Sequence, residues 1–189
     1  LDLVRTREEG RLIGHLGPDL LADGFDVGVA VANLAASGTS IGAALLDQQN
    51  LAGIGTIWSS ESLFRERLHP WTPVAQLSEA DLVLLVLRAR SLMLAAISDP
   101  VPSAITRPES SSAVHGRSGR PCRRCGGLIR VAEIGPPTRE RPMFYCPGCQ
   151  GGLAPNDDGR PIAPLGAYRR PTPGSRTPRE RPRGRPPAR

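Results

Sequence analysis

Cys122-Arg-Arg-Cys125 and Cys146-Pro-Gly-Cys149 are the stretches on which the fold turns, and they hold all four cysteines of the 189-residue chain. A two-residue gap lets both thiolates of a tight turn point at one centre. Two such turns facing each other complete a tetrahedron, with sulfur about 2.3 Å from a zinc ion. Gly126-Gly127 after the first pair and Pro147-Gly148 inside the second are turn residues of the kind such knuckles need. Between the pairs, Leu128–Ile134 and Arg141–Tyr145 read as the strands of a hairpin joined through Gly135-Pro136-Pro137-Thr138. One structural zinc on Cys122, Cys125, Cys146 and Cys149 is the expectation. Iron on the same four thiolates is the alternative, and a redox dithiol fits less well because four ligands close the shell. A closed four-thiolate site normally holds a fold together and catalyses nothing.

Outward from the knuckles the charge is uneven. All 24 basic side chains are arginines, so no reaction of this chain can run through a lysine amine. Residues 1–114 hold 8 Arg against 13 acids (−5), 115–150 hold 7 against 2 (+5), 151–168 hold 1 against 2 (−1), and 169–189 hold 8 against 1 (+7). Two basic blocks behind an acidic front point to a polyanion such as nucleic acid rather than to a uniformly basic fold. Aromatics are scarce at 4 %, and Gly 21 with Pro 20 leave little for a large core, so a small module here wants a staple. The start, Leu-Asp-Leu-Val-Arg, shows no signal-peptide pattern. The apolar run Leu82–Leu87 is too short to cross a bilayer and is followed by Arg88 and Arg90. A soluble, reducing, cytoplasmic and nucleoid-associated setting with no membrane partner is therefore expected, where paired thiolates are more often metal ligands than disulfides.

Ahead of the cysteines the pattern is helical. Residues 1–14 read as two short strands around a charged turn. Asp26 is placed to cap a helix over Val27–Ala36, and Thr39-Ser40 a second over Ile41–Gln48. Gly53-Ile54-Gly55 interrupts, and Thr56 opens a third helix that turns Ile57, Leu63, Phe64 and Trp58 inward until Leu68-His69-Pro70 stops it. Ser78-Glu-Ala-Asp81 is a variant capping box for a helix of about five turns to near Ile97, ended by Asp99-Pro100. Residues 99–114 read as a linker, 115–150 as the cysteine module and 151–189 as a disordered Arg/Pro-rich tail.

Three groups of residues carry possible chemistry beyond the cysteines. Arg117, Arg120, Arg123, Arg124, Arg130, Arg139 and Arg141 surround the knuckles, and guanidinium suits phosphate through two parallel hydrogen bonds; a solvated basic face is the plainer reading. Gly53-Ile-Gly55-Thr56 at a helix N-terminus exposes backbone N–H groups that can cradle a phosphate, or it is only a helix–helix turn. His15 and His69 read as structural or exposed, Trp58 and Trp71 as packing, and Glu61 as a residue that fixes the Gly-x-Gly turn rather than a general base.

Ala44-Leu-Leu-Asp-Gln48, Leu51-Ala-Gly-Ile-Gly55, Glu61-x-Leu-Phe64 and Leu68-His-Pro70 resemble the helix-two-turns-helix domain of the formamidopyrimidine-DNA glycosylase and endonuclease VIII family. His115-Gly-Arg-Ser-Gly-Arg-Pro-Cys-Arg-Arg-Cys-Gly126 and Arg141-Pro-Met-Phe-Tyr-Cys-Pro-Gly-Cys-Gln150 resemble its zinc finger, and the actinobacterial endonuclease VIII branch is the most similar. The resemblance implies a mainly α fold with a small β zinc-finger hairpin. Residues 1–14 would be the end of an N-terminal β-sandwich, 15–98 the helix-two-turns-helix domain, 99–114 the linker and 115–150 the finger. It implies an enzyme that excises oxidised bases and nicks the abasic strand through an N-terminal proline amine and the adjacent glutamate, neither of which this chain contains. The expectation is a monomer that binds damaged or abasic double-stranded DNA but is inactive alone. A non-catalytic, zinc-containing DNA- or RNA-binding accessory protein is the alternative.

The resemblance also assigns DNA contacts. Arg141 matches the family's hairpin arginine, which with an asparagine at the Gly-x-Gly turn clamps the phosphates beside the flipped nucleotide. Thr56, next to Gly55, occupies the asparagine position, where a hydroxyl caps the helix or donates one hydrogen bond but lacks the amide's reach. His115 stands where the family more often has tyrosine, and Arg117 follows it in the same motif.

Overall fold

The structure, a computed structural model, describes residues 14–98 and 112–160. The strands expected within 1–13, most of the 99–114 linker and residues 161–189 of the expected tail lie outside it. The first helix, α1 (Val27–Ala35), starts where the sequence places it: the Asp26 carboxylate accepts from the N–H groups of Gly28 and Val29 at 2.8 and 3.2 Å. Helix α2 (Ile41–Leu46) is shorter than expected and has no side-chain cap at Ser40. Its first N–H groups go to a distant loop instead, from Ile41 to the Thr72 carbonyl at 2.9 Å and from Gly42 to that of Pro70 at 2.8 Å. It stops at Asp47 because the next residue has other work. The Gln48 amide donates to the Ile54 carbonyl and accepts from the Gly53 N–H, both at 3.0 Å, and so pins the Gly-x-Gly turn in which Gly53 has φ +88°.

Helix α3 (Thr56–Arg65) ends before the proline reached by the sequence argument. Arg67 adopts φ +59°, its N–H donates to the Phe64 carbonyl, and the Leu68 N–H reaches the Leu63 carbonyl at 3.0 Å. That pairing is a Schellman closure with arginine where glycine is usual. Helix α4 (Glu79–Ser98) begins with the expected box: the Asp81 carboxylate accepts from the N–H and hydroxyl of Ser78, and the Asp81 N–H returns to that hydroxyl at 3.1 Å. Among the described residues, no helix is long and apolar enough to cross a membrane.

Helices α1 and α3 pack on α4 around Leu34, Ile41, Leu45, Leu63, Leu85 and Val86, all fully buried. Strands β1 (Arg130–Ile134) and β2 (Arg141–Tyr145) form an antiparallel hairpin with Arg130 opposite Tyr145 and Ile134 opposite Arg141. Ile134 and Met143 of this hairpin enter the helical core. A Cβ on Gly42 would lie 2.8 Å from Ile134 Cδ1 and 3.0 Å from the Pro70 carbonyl oxygen, so a side chain there would crowd the contact between the hairpin and α2. The short helix α5 (Pro147–Gln150) carries the second knuckle and ends on Gly151 in the left-handed region.

Candidate metal centre and nucleic-acid interface

The four cysteine sulfurs lie within 4.8 Å of one another, with Cys125 and Cys146 at 3.4 Å and Cys122 and Cys149 at 3.9 Å. A tetrahedral ion with 2.3 Å bonds requires sulfurs about 3.8 Å apart, so the set fits one such ion. Three of the thiols are pushed in opposite directions. The exposed Cys125 thiol is held down at about 7, first by the Gly127 backbone N–H, whereas burial pushes the Cys146 and Cys149 thiols up. A cation at the centre removes that conflict by taking all four as thiolates.

The module is fastened to α3 by buried polar groups. Ser59, Ser60, Glu61 and Ser62 are all buried. The Ser60 hydroxyl accepts from the Phe144 N–H of β2 at 3.2 Å and donates to Met143 Sδ at 3.4 Å. The Glu61 carboxylate accepts from three consecutive N–H groups, those of Ala113, Val114 and His115, at 2.9, 2.9 and 3.0 Å. Glu61 therefore anchors the entry to the cysteine module, not the Gly-x-Gly turn expected from sequence. Arg124, between the first two cysteines, donates to the Phe64 carbonyl at 3.0 Å and lies 4.1 Å over the Phe64 ring. Gln150 donates to the Leu68 carbonyl and accepts from the Cys146 N–H, so the second knuckle is tied to the end of the same helix.

The DNA contacts expected from sequence fall into different environments. Gly55 is the N-cap of α3 with extended backbone, no side-chain cap and open space around it. Thr56 is the first residue inside the helix, so its hydroxyl does not cap it. Arg141 is exposed at the start of β2 and lines a groove of about 1020 Å³ together with His15, Gln48, Trp71, Arg139 and Asn156. His115 is half-buried edge-on against Phe144, with ring centroids 4.7 Å apart. Its buried Nδ1 has no partner among the described residues, its backbone N–H is taken by Glu61, and burial lowers its pKa. Arg117 is 7 % exposed and donates to the Pro121 carbonyl, so its guanidinium faces the first knuckle turn rather than solvent.

The ordered module continues past the boundary expected at residue 150. Residues 151–160 form a strap along the hairpin. The Tyr145 hydroxyl accepts from the Ala154 N–H at 2.9 Å and donates to Asp157, which also forms a two-point ion pair with Arg130. Side chains of that pair are only 8 % and 5 % exposed. Arg130, first among the causes, holds the Asp157 carboxyl down at about 2, and burial pushes the Tyr145 phenol up to about 12. Sequence reasoning missed this strap; the signal for it was the aspartate pair, Asp157-Asp158, in an otherwise basic C-terminal region.

A helix-two-turns-helix domain stapled through α3 to a four-cysteine hairpin is the class of protein this geometry defines. The profile of the formamidopyrimidine-DNA glycosylase H2TH domain matches residues 16–105. A probable endonuclease 8 2 of Streptomyces coelicolor is 45 % identical over 161 residues, covering 85 % of this chain and 58 % of that protein. Endonuclease 8 2 of Mycobacterium tuberculosis is 39 % identical over 79 % of this chain and 58 % of its own length. The MutM (Fpg) protein of Thermus thermophilus superposes with a TM-score of 0.65 at 30 % identity, over 79 % of this chain and 59 % of that one. The Lactococcus lactis formamidopyrimidine-DNA glycosylase, non-covalently bound to DNA containing an AP site, superposes with a TM-score of 0.66 at 26 % identity, over 78 % of this chain and 55 % of its own. The chain belongs to the formamidopyrimidine-DNA glycosylase and endonuclease 8 family. It spans a little over half the length of the relatives it matches.

Proposed function

We propose that the described residues are the damaged-DNA-binding portion of a base-excision-repair DNA glycosylase/AP lyase acting on oxidised bases, with one structural zinc on Cys122, Cys125, Cys146 and Cys149. The observation that carries this reading is that a single helix, α3, joins both candidate phosphate sites. Its bare N-terminus is Gly55-Thr56, and one turn further on Ser60 and Glu61 hold the cysteine module. Arg141 lies three residues before the Phe144 that Ser60 binds, about 10 Å along β2. Backbone N–H groups at a helix N-terminus and an exposed guanidinium on a rigid hairpin are both phosphate ligands, and α3 fixes them relative to each other.

In this reading zinc supplies no step of the reaction; it closes the knuckles so that β2 presents Arg141. No side chain of the chain is a lysine, so none offers an amine to an opened sugar. The arginine-rich residues 169–189 add attraction that is independent of sequence. The test is titration of an abasic-site duplex with the 189-residue chain containing about one zinc. Salt-sensitive binding is expected, with Arg141→Ala weakening it about tenfold and lowering the salt slope by about one, and Thr56→Ala about threefold. Zinc retention without salt-sensitive binding overturns the reading.

A further inference from the structure

We propose that Asn156, on the strap that follows the second knuckle, is a further DNA-contact residue of the Arg141 groove, and that Asp157 is the positioning residue that holds it there. The inference rests on the DNA-binding reading above and extends it to a segment beyond both the helical domain and the knuckles. Asn156 is exposed and lines the same groove as Arg139, Arg141 and Gln48. Its neighbours on both sides are immobilised. Ala154 is 3 % exposed and bonded through its N–H to the Tyr145 hydroxyl, and Asp157 is sealed against Arg130 and Tyr145.

The strap is fixed further along as well. The Asp157 N–H donates to the Ala154 carbonyl at 3.0 Å, the Gly159 N–H to the Asp157 carboxylate at 3.0 Å, and Arg130 to the Arg160 carbonyl at 3.0 Å. On a backbone tied down at so many points, little backbone ordering entropy remains to be lost when the exposed side chain meets a ligand. Asp157 is held by Arg130 and Asp158 pairs with Arg160 at 3.3 Å, while Asp47, Glu133 and Glu140 line the groove together with Arg139 and Arg141, so what is asked of Asn156 is neutral hydrogen bonding rather than charge attraction. What the strap offers there is a neutral carboxamide next to two exposed arginines, with two N–H donors for phosphate oxygens or one donor and one acceptor for a base edge. Thr56 provides no amide at the Gly-x-Gly turn, and in this proposal Asn156 supplies one from the groove that Arg141 lines.

The experiment uses the zinc-loaded 189-residue chain and a duplex with a tetrahydrofuran abasic site, titrated at two salt concentrations. Asn156→Ala is expected to weaken binding about fivefold, and Asn156→Asp about thirtyfold at low salt, with unchanged zinc content and melting temperature. Asp157→Asn should lose about as much affinity as Asn156→Ala although it leaves every groove side chain in place. If Asn156→Ala and Asn156→Asp bind like the parent while Arg141→Ala is weakened, the assignment of Asn156 is overturned and the phosphate reading stands. A loss with Asn156→Asp and none with Asn156→Ala means proximity without contact and also overturns it. If Arg141→Ala is itself without effect, the DNA-binding reading fails first.

Discussion

Among the described residues, eighteen buried apolar side chains make up the core that the helices share with Ile134 and Met143, whereas the cluster at the cysteine module holds six, of which two are cysteines and one is Phe64 of α3. The first group is a continuous apolar core under helices α1 to α4; the second is a small one, and the module is kept in shape largely by sulfur, guanidinium and carboxylate contacts. Apolar burial tolerates small losses anywhere within it. A module held by a few polar contacts fails at single points, and those points are where the two halves can be separated by experiment.

Metal removal should give the largest separation. With a chelator strong enough to strip a four-thiolate site, or in Cys146→Ser, the hairpin is expected to lose its ordered signals while most of the far-UV helix signal stays; structural zinc contributes on the order of 10 kcal/mol to such modules. Loss of both signals together would mean that the halves fold as one unit. Next comes Glu61→Ala, which strands the N–H groups of Ala113, Val114 and His115 in a buried site and should cost about 4 kcal/mol, read as a fall in melting temperature. Glu61→Gln keeps one acceptor and should cost less than half of that.

Breaking the strap is a smaller change. Asp157→Ala leaves Arg130 buried without its partner, for a loss of about 3 kcal/mol confined to the hairpin, visible as faster amide exchange in 130–134 and 141–145 rather than in α4. The smallest effect concerns pH. His115 has a folded pKa lowered by burial, so the folded state holds fewer protons than the unfolded one and stability falls as pH drops below the free histidine value of about 6.5. Between pH 7.5 and 6, with zinc content unchanged, the parent should melt progressively lower and His115→Phe should show a flatter response.

What the sequence disclosed was what short-range chemistry decides. Asp26, the Ser78–Asp81 box, the two cysteine pairs and both strands sit in patterns whose partners are a few residues away. What stayed hidden depends on partners far along the chain. Ser60 and Glu61 are buried polar residues whose partners, β2 and residues 113–115, lie more than fifty residues further on. Arg117 looks like a surface cation until the knuckle turn closes over it. The strap shares glycine and proline with the tail, and its aspartate pair hinted at a difference whose meaning depends on Arg130, 27 residues earlier. Helix ends differ for a local reason, since α2 is ended by the contacts of Gln48 to Gly53 and Ile54 and α3 by the left-handed conformation of Arg67.

Trp71 packs edge-on against Tyr145 of β2, with ring centroids 5.1 Å apart, and only one other tryptophan, Trp58, shares the chain with it. The protein thus carries its own optical gauge. Emission from Trp71 should change when the hairpin lifts from the helices, so undocking of the finger can be timed in a stopped-flow mixer without attaching a dye, and a Trp58→Phe background would make that glow report from one place alone.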